Sequence, residues 1–242
     1  MMGHLLLMEL KLLLRRRITA LSVVGVPVLL AALLLFGDRP EDLAGWGKVL
    51  GSNVLLLTVL STYLVSLTVF TARRQSLVLK RLRTSSLSDP AIFASVLAPV
   101  VVVGLGQTVA FLVFSVAVGA PAPSSPGLLV AGVVLCVAVA SALGVATACL
   151  SRSVEATQVT GTPVTLAAVA GVFLAQSSSD AAAASALALP LTGPADLVTR
   201  GWSPGLSIGD VPVPPLDVAA AVLWLVVAGL VISRAFRWEP RA

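Results

Sequence analysis

Hydrophobic residues in this chain do not alternate with polar ones. They gather in six long runs, over 18–36, 49–71, 91–118, 128–150, 160–176 and 218–233. About 20 apolar residues wound as a helix cross the hydrocarbon core of a bilayer, whereas barrel strands would show a two-residue period. The pattern predicts an all-α polytopic membrane protein with six transmembrane helices, forming one transmembrane domain over 1–242. Between the fifth and sixth runs an outer loop at 177–217, rich in Ala, Pro and Gly, holds "ASALALP" and "ADLVTRGW". Both are too short to span, so they are expected to form short interfacial or re-entrant helices.

Composition agrees: 57% of residues are hydrophobic, 11% are charged and the mean hydropathy is +1.02, far from soluble domains. Basic residues orient the spans, because short cytoplasmic flanks retain Lys and Arg. With the N-terminus inside, thirteen basic residues face the cytoplasm and only Arg39, Lys48 and Arg200 face outward. An even number of spans returns the C-terminus to the cytoplasm. The net charge of +5 is thereby a topology signal, and no nucleic-acid partner is expected. The run at 18–36 exceeds the roughly 7–15 residues of a signal-peptide core, and no small-x-small cleavage pattern precedes Asp38, so it reads as a span. Upstream, 4–17 is apolar with three closing arginines and is expected at the cytoplasmic interface.

Chemistry is scarce. Ion-coupled carriers keep a carboxylate or histidine inside their spans, and here the six runs hold none; Glu155 and Asp180 flank the fifth, and His4 precedes the first. The Walker pattern fails at "GWGKV", where Asp42 stands in place of the first glycine and Val49 follows Lys48, so this segment is expected to be an outer-face turn. No H-E-x-x-H occurs and the six runs hold no pair of carboxylates, so no catalytic residue is expected. Cys136 and Cys149 share one predicted helix, cannot join by a disulfide and have no companion ligands, so no metal site is expected.

A transport protein without a coupling residue draws energy from a partner, which focuses attention on "ARRQSLVLKRLRTSSLSDP" at 72–90. Wound as a helix over 73–88, it puts Val78, Leu79 and Leu82 on one face and Arg73, Arg74, Lys80, Arg81 and Arg83 on the other. It reads equally as a solvated basic loop against anionic headgroups or as a docking helix. Ser85, Ser86, Ser88 and Asp89 then stop it, and Pro90 suits the start of the next helix.

"LVLKRLRTSSLS" between the second and third spans, and "LPLTGPADLVTR" before the last, resemble the permease subunit of an ABC-2 type exporter. The first is similar to the family's coupling helix, with Leu79, Leu82, Arg83 and Leu87 on its pattern and Lys80 and Arg81 between them. The second is matched by Pro190, Leu191, Thr192, Asp196 and Arg200, and Asp196 and Arg200 are spaced to pair on one helical turn. The resemblance covers nearly the whole layout. It implies a chain without its own cofactor, served by two copies of an ABC ATPase that carry ATP and Mg, and paired in the lipid bilayer with a second permease copy or a sister permease. Ser86 stands in place of the family's usual proline, and the usual upstream acidic residue and glycine are missing from "RRQSL". Docking chemistry is altered accordingly, with basic residues meeting an acidic ATPase surface.

Polar residues within the spans mark a candidate translocation path at Ser61, Thr62, Tyr63, Ser66 and Gln107, although such residues also satisfy neighbouring helices. With little acidic or aromatic lining, the cargo is expected to be hydrophobic or amphiphilic: a drug, an antibiotic or a lipid-like molecule. Scarce Lys beside abundant Arg, Ala, Val and Gly suggests a high-GC bacterium, and hence its inner membrane. The competing readings are an ion-coupled carrier and a non-transporting scaffold or assembly factor.

Overall fold

The structure, a computed structural model, describes residues 21–78, 88–177, 179–204 and 213–236. The described residues form eight helices. α1 opens with a π turn at Leu21–Gly25 and continues as Val26–Phe36; α2 is Leu43–Gln75, α3 Asp89–Ala117, α4 Pro126–Leu150 and α5 Thr157–Ala175. Two short helices, α6 (Asp180–Ala186) and α7 (Thr192–Trp202), lead to α8 (Val213–Ala235). Five of these helices are long and apolar enough to cross a membrane, and α1 is shorter in its described part. The chain is an all-α, multi-pass membrane protein.

α2 is the axis of the bundle: 72% of its most apolar window is buried, against 17% for α8. It also starts earlier than the apolar run, because Asp42 caps it, Oδ1 accepting the Gly45 N–H at 2.9 Å. The expected outer-face turn at "GWGKV" is therefore corrected to the opening turns of a helix roughly 50 Å long.

Midway, α2 relaxes into a π segment at Thr58–Tyr63. Thr58 Oγ1 donates back to the carbonyls of Val54 and Leu55 at 2.8 and 3.0 Å, which competes with the regular ladder. Such bulges rotate the residues that follow and recur at functional positions.

At the end of α2 that the basic residues would assign to the cytoplasm, the cationic stretch does not form one helix from residue 73. α2 itself runs through Gln75, Ser76 N–H bonds the Ala72 carbonyl at 3.0 Å, and Leu77 adopts φ +58. A leucine in the left-handed region breaks the run, so Arg73 and Arg74 belong to the last turn of the span. Ser88 then precedes α3 as its N-cap residue, with proline in the first turn.

α7 does not lie flat over the bundle. Leu191, fully buried at φ +68, turns the chain inward, and all of α7 except Asp196 is buried. Glycines let it sink: Gly171 of α5 meets Thr192, Gly132 of α4 meets Val198, and Gly47 and Gly51 of α2 meet Thr199. The helix expected as interfacial or re-entrant is seated as a plug among the ends of α2, α4, α5 and α8 that charge orientation would assign to the outside.

Candidate functional site along the central helix

Three polar clusters are strung along α2: one at the plug, one at mid-membrane and one at the cytoplasmic end.

At the plug, Arg200 stands one turn from Asp196, and its Nη2 and Nε reach Asp196 Oδ2 at 2.6 and 2.8 Å. The same Nε reaches Asp217 Oδ2 of α8 at 3.2 Å. Arg200 and Asp217 are both buried, so an ion pair ties the plug to the last span in a region of low dielectric. Trp202 closes the other end of α7, its Nε1 donating to the Pro121 carbonyl at 2.7 Å, while Ser124 Oγ donates to the Trp202 carbonyl at 2.9 Å.

Asp217 was missed by the sequence pattern and overturns the expectation that the spans carry no carboxylate. Two residues beyond Pro214 and Pro215, it reads as loop, yet α8 starts at Val213 and buries it completely. A lone acid at the lip of an apolar run was the available signal. Among the described spans it is the one buried carboxylate.

At mid-membrane the candidate path residues divide between two sides of α2. Ser61 and Thr62 meet Gln107 and Gly104 of α3, and Gln107 Nε2 hydrogen-bonds Ser61 Oγ. Thr62 Oγ1 and Gln107 Oε1 are buried there without a hydrogen-bond partner, in a narrow cleft of about 10 Å³. Tyr63 points the other way, its hydroxyl within reach of Thr147 Oγ1 at 3.2 Å and the Gly161 carbonyl at 3.3 Å. Ser66 sits beside Gly144 of α4, where a Cβ would lie 2.5 Å from its own Cβ, so the glycine serves close contact within the chain.

At the cytoplasmic end Arg74 is buried, a correction to its expected place on a solvated polar face. Its Nη2 donates to the carbonyl of Ser151, the residue that follows α4 as its C-cap. A cation at a helix C-terminus is favourable with both the free carbonyls and the dipole. Beside it, Gln75 Oε1 accepts the Val154 N–H at 3.2 Å, so the end of α2 clamps the α4–α5 turn. On that turn the Ser153 hydroxyl, and then the backbone N–H of Glu155, draw the exposed Glu155 carboxyl below its usual pKa. Phe70 and Phe93, 5.3 Å apart, and Phe93 and Phe236, 4.7 Å apart, join α2 and α3 to the end of α8.

Leu79, Lys80, Arg81, Leu82, Arg83 and Leu87 lie outside the described residues, as does the interfacial segment 4–17. Among the described residues no group of acidic, histidine and cysteine side chains is arranged to hold a metal ion.

The described residues thus form a polytopic helix bundle with a buried central helix, closed at one end by α7 and tied at the other by Arg74 and Gln75. The chain matches the ABC-2 family transporter protein over residues 17–235 and belongs to that family. It is the membrane permease of an ABC-type transporter. No curated protein and no solved structure matches it.

Proposed function

We propose that this chain is the permease subunit of an exporter that moves a hydrophobic or amphiphilic molecule outward across a bacterial inner membrane. The ATP is hydrolysed on a separate ABC ATPase, present in two copies with Mg. Two permeases, identical or sisters, form the path.

One observation carries the reading. α2 is continuous from Gly47 and Gly51, where it touches the plug, to Gln75, where the cationic stretch leaves it. A displacement passed from 79–87 across the break at Leu77 to the end of α2 would reach the α7 plug along one helix. The Arg74 and Gln75 contacts carry it into the α4–α5 turn as well. Asp217 does not revive ion coupling, because Arg200 engages it as a tie between two helices.

The test uses the permease purified with its ATPase. Leu82→Asp puts a charge on the apolar face of the cationic segment and Arg83→Glu reverses one on its polar face. Both lie outside the bilayer and avoid the ~2.5–3.5 kcal/mol cost of a charge at a span centre, so expression should survive. ATPase association, or cargo-stimulated ATP hydrolysis, is expected to fall. If both variants express and keep both properties, the segment is a topology signal and the coupling reading is lost.

A further inference from the structure

α3 and α4 touch at mid-membrane and then part. At the contact, a Cβ on Gly104 would lie 3.4 Å from Val137 Cγ1. Beyond it, toward the outer face, the helices leave a groove of about 550 Å³ lined by Val109, Val113, Val130, Val134 and others, all apolar. Trp202 of α7 contributes to the same wall, and its one polar atom is committed to the Pro121 carbonyl. The groove thus has no polar atom to offer a ligand. Arg39, on the α1–α2 loop, brings its guanidinium to Gly119, one turn past Val116; its Nη1 lies 3.7 Å from where a Cβ on Gly119 would stand.

We propose that this groove holds one acyl chain of an outer-leaflet phospholipid, with the phosphate at Arg39.

Length supports the assignment. On α3 the lining runs from Leu105 to Val116, a rise of about 16 Å. One leaflet of a ~30 Å hydrocarbon core is about 15 Å deep. The groove begins at mid-membrane and ends at the level where Trp202 and Arg39 mark the interface, the depth at which aromatic and basic side chains anchor. A single flexible acyl chain is an apolar object of matching length. The inference stands independently of the exporter reading.

The test is photo-crosslinking of the full chain in bilayers that contain a phospholipid with a diazirine on its acyl chain. Adducts are expected to concentrate on peptides carrying Val113 and Val130, above those on the exposed Val222 and Val226 of α8. Filling the groove with Val113→Phe and Val130→Phe is expected to bring the α3 and α4 adducts down to the α8 level and leave α8 unchanged. Arg39→Gln is expected to lower the groove adducts in part. Even labelling of all lipid-facing helices, unaltered by the fillings, would mean ordinary annular lipid and would overturn the proposal. Cysteines at Val113 and Val130 that cross-link between copies in the membrane would assign the groove to a second subunit and overturn it as well.

Discussion

Gly51 of α2 lies so close to Thr199 of α7 that a Cβ at position 51 would stand 2.2 Å from Thr199 Oγ1 and 2.8 Å from the Ala195 carbonyl oxygen. The plug therefore seats on α2 only because a hydrogen occupies that place. Gly51→Ala should separate the two helices and cost about 1–3 kcal/mol, as overpacking does. Thr199→Ala in the same chain should restore part of the loss, since it relieves the contact with Oγ1 but not the one with the Ala195 carbonyl. Gly106→Ala, which meets nothing within 4 Å, is the control and should leave stability unchanged or raised. Thermal unfolding in detergent checks all three.

The ion cluster of the plug should show a strict order of damage. Arg200→Met leaves the fully buried Asp217 without its cation, and breaking a buried pair from one side costs about 3–5 kcal/mol. Asp217→Asn removes a charge but leaves Arg200 with Asp196, so it should cost less. Asp196→Asn should cost least, because its side chain is 20% exposed and water replaces part of the interaction. Added salt should not reduce the effect of Arg200→Met, since buried pairs are poorly screened. Equal melting temperatures for Arg200→Met and Asp196→Asn would show that Asp217 does not depend on Arg200.

Much of this architecture was legible because burial in a bilayer leaves a coarse signature. The long apolar runs gave the spans and, with the basic flanks, the expected orientation; the i, i+4 spacing gave the contact between Asp196 and Arg200. What the pattern hid depends on the third dimension. Asp217 looked like loop because helix α8 begins at Val213, before the apolar run does. Arg74 looked solvated because nothing local says that Leu77 ends the helix at φ +58 and that Ser151 arrives beside it. Tyr63 and Ser61 looked like one cluster because they are close in the chain, but residues two apart on a helix stand roughly 200° apart and so face different neighbours.

The clamp at the cytoplasmic end yields a separable prediction. Arg74→Ala removes a charged donor from the Ser151 carbonyl, a loss of about 1.5–3 kcal/mol for a hydrogen bond to a charged group. Arg74→Lys keeps the cation at the end of α4 but not the planar fork, so it should recover only part. Under the exporter reading, Gln75→Ala, which frees the Val154 N–H near the surface, should leave stability almost unchanged. Cargo transport per ATP should nevertheless drop, because the α4–α5 turn no longer follows α2. Spin labels at Ser76 and Ser153 should show a broader distance distribution in that variant. A distribution identical to that of the parent chain would remove the clamp from the relay.

The mid-membrane cleft separates packing from transport by the same logic. Thr62 Oγ1 and Gln107 Oε1 are buried without a partner, and an unsatisfied buried polar group carries a desolvation cost of about 1–3 kcal/mol. Thr62→Val keeps the shape and deletes the hydroxyl, so the protein should be as stable as the parent or more stable. Tyr63→Phe provides the contrast: it removes the hydroxyl that reaches Thr147 and the Gly161 carbonyl, and should lose about 0.5–1.5 kcal/mol without opening a cavity. If Ser61, Thr62 and Gln107 line the path for an amphiphilic cargo, Thr62→Val and Gln107→Leu should give stable permeases with altered cargo preference, measured as export rate against cargo polarity. Stable variants with an unchanged cargo profile would assign this cleft to helix packing and move the path to another face of the bundle.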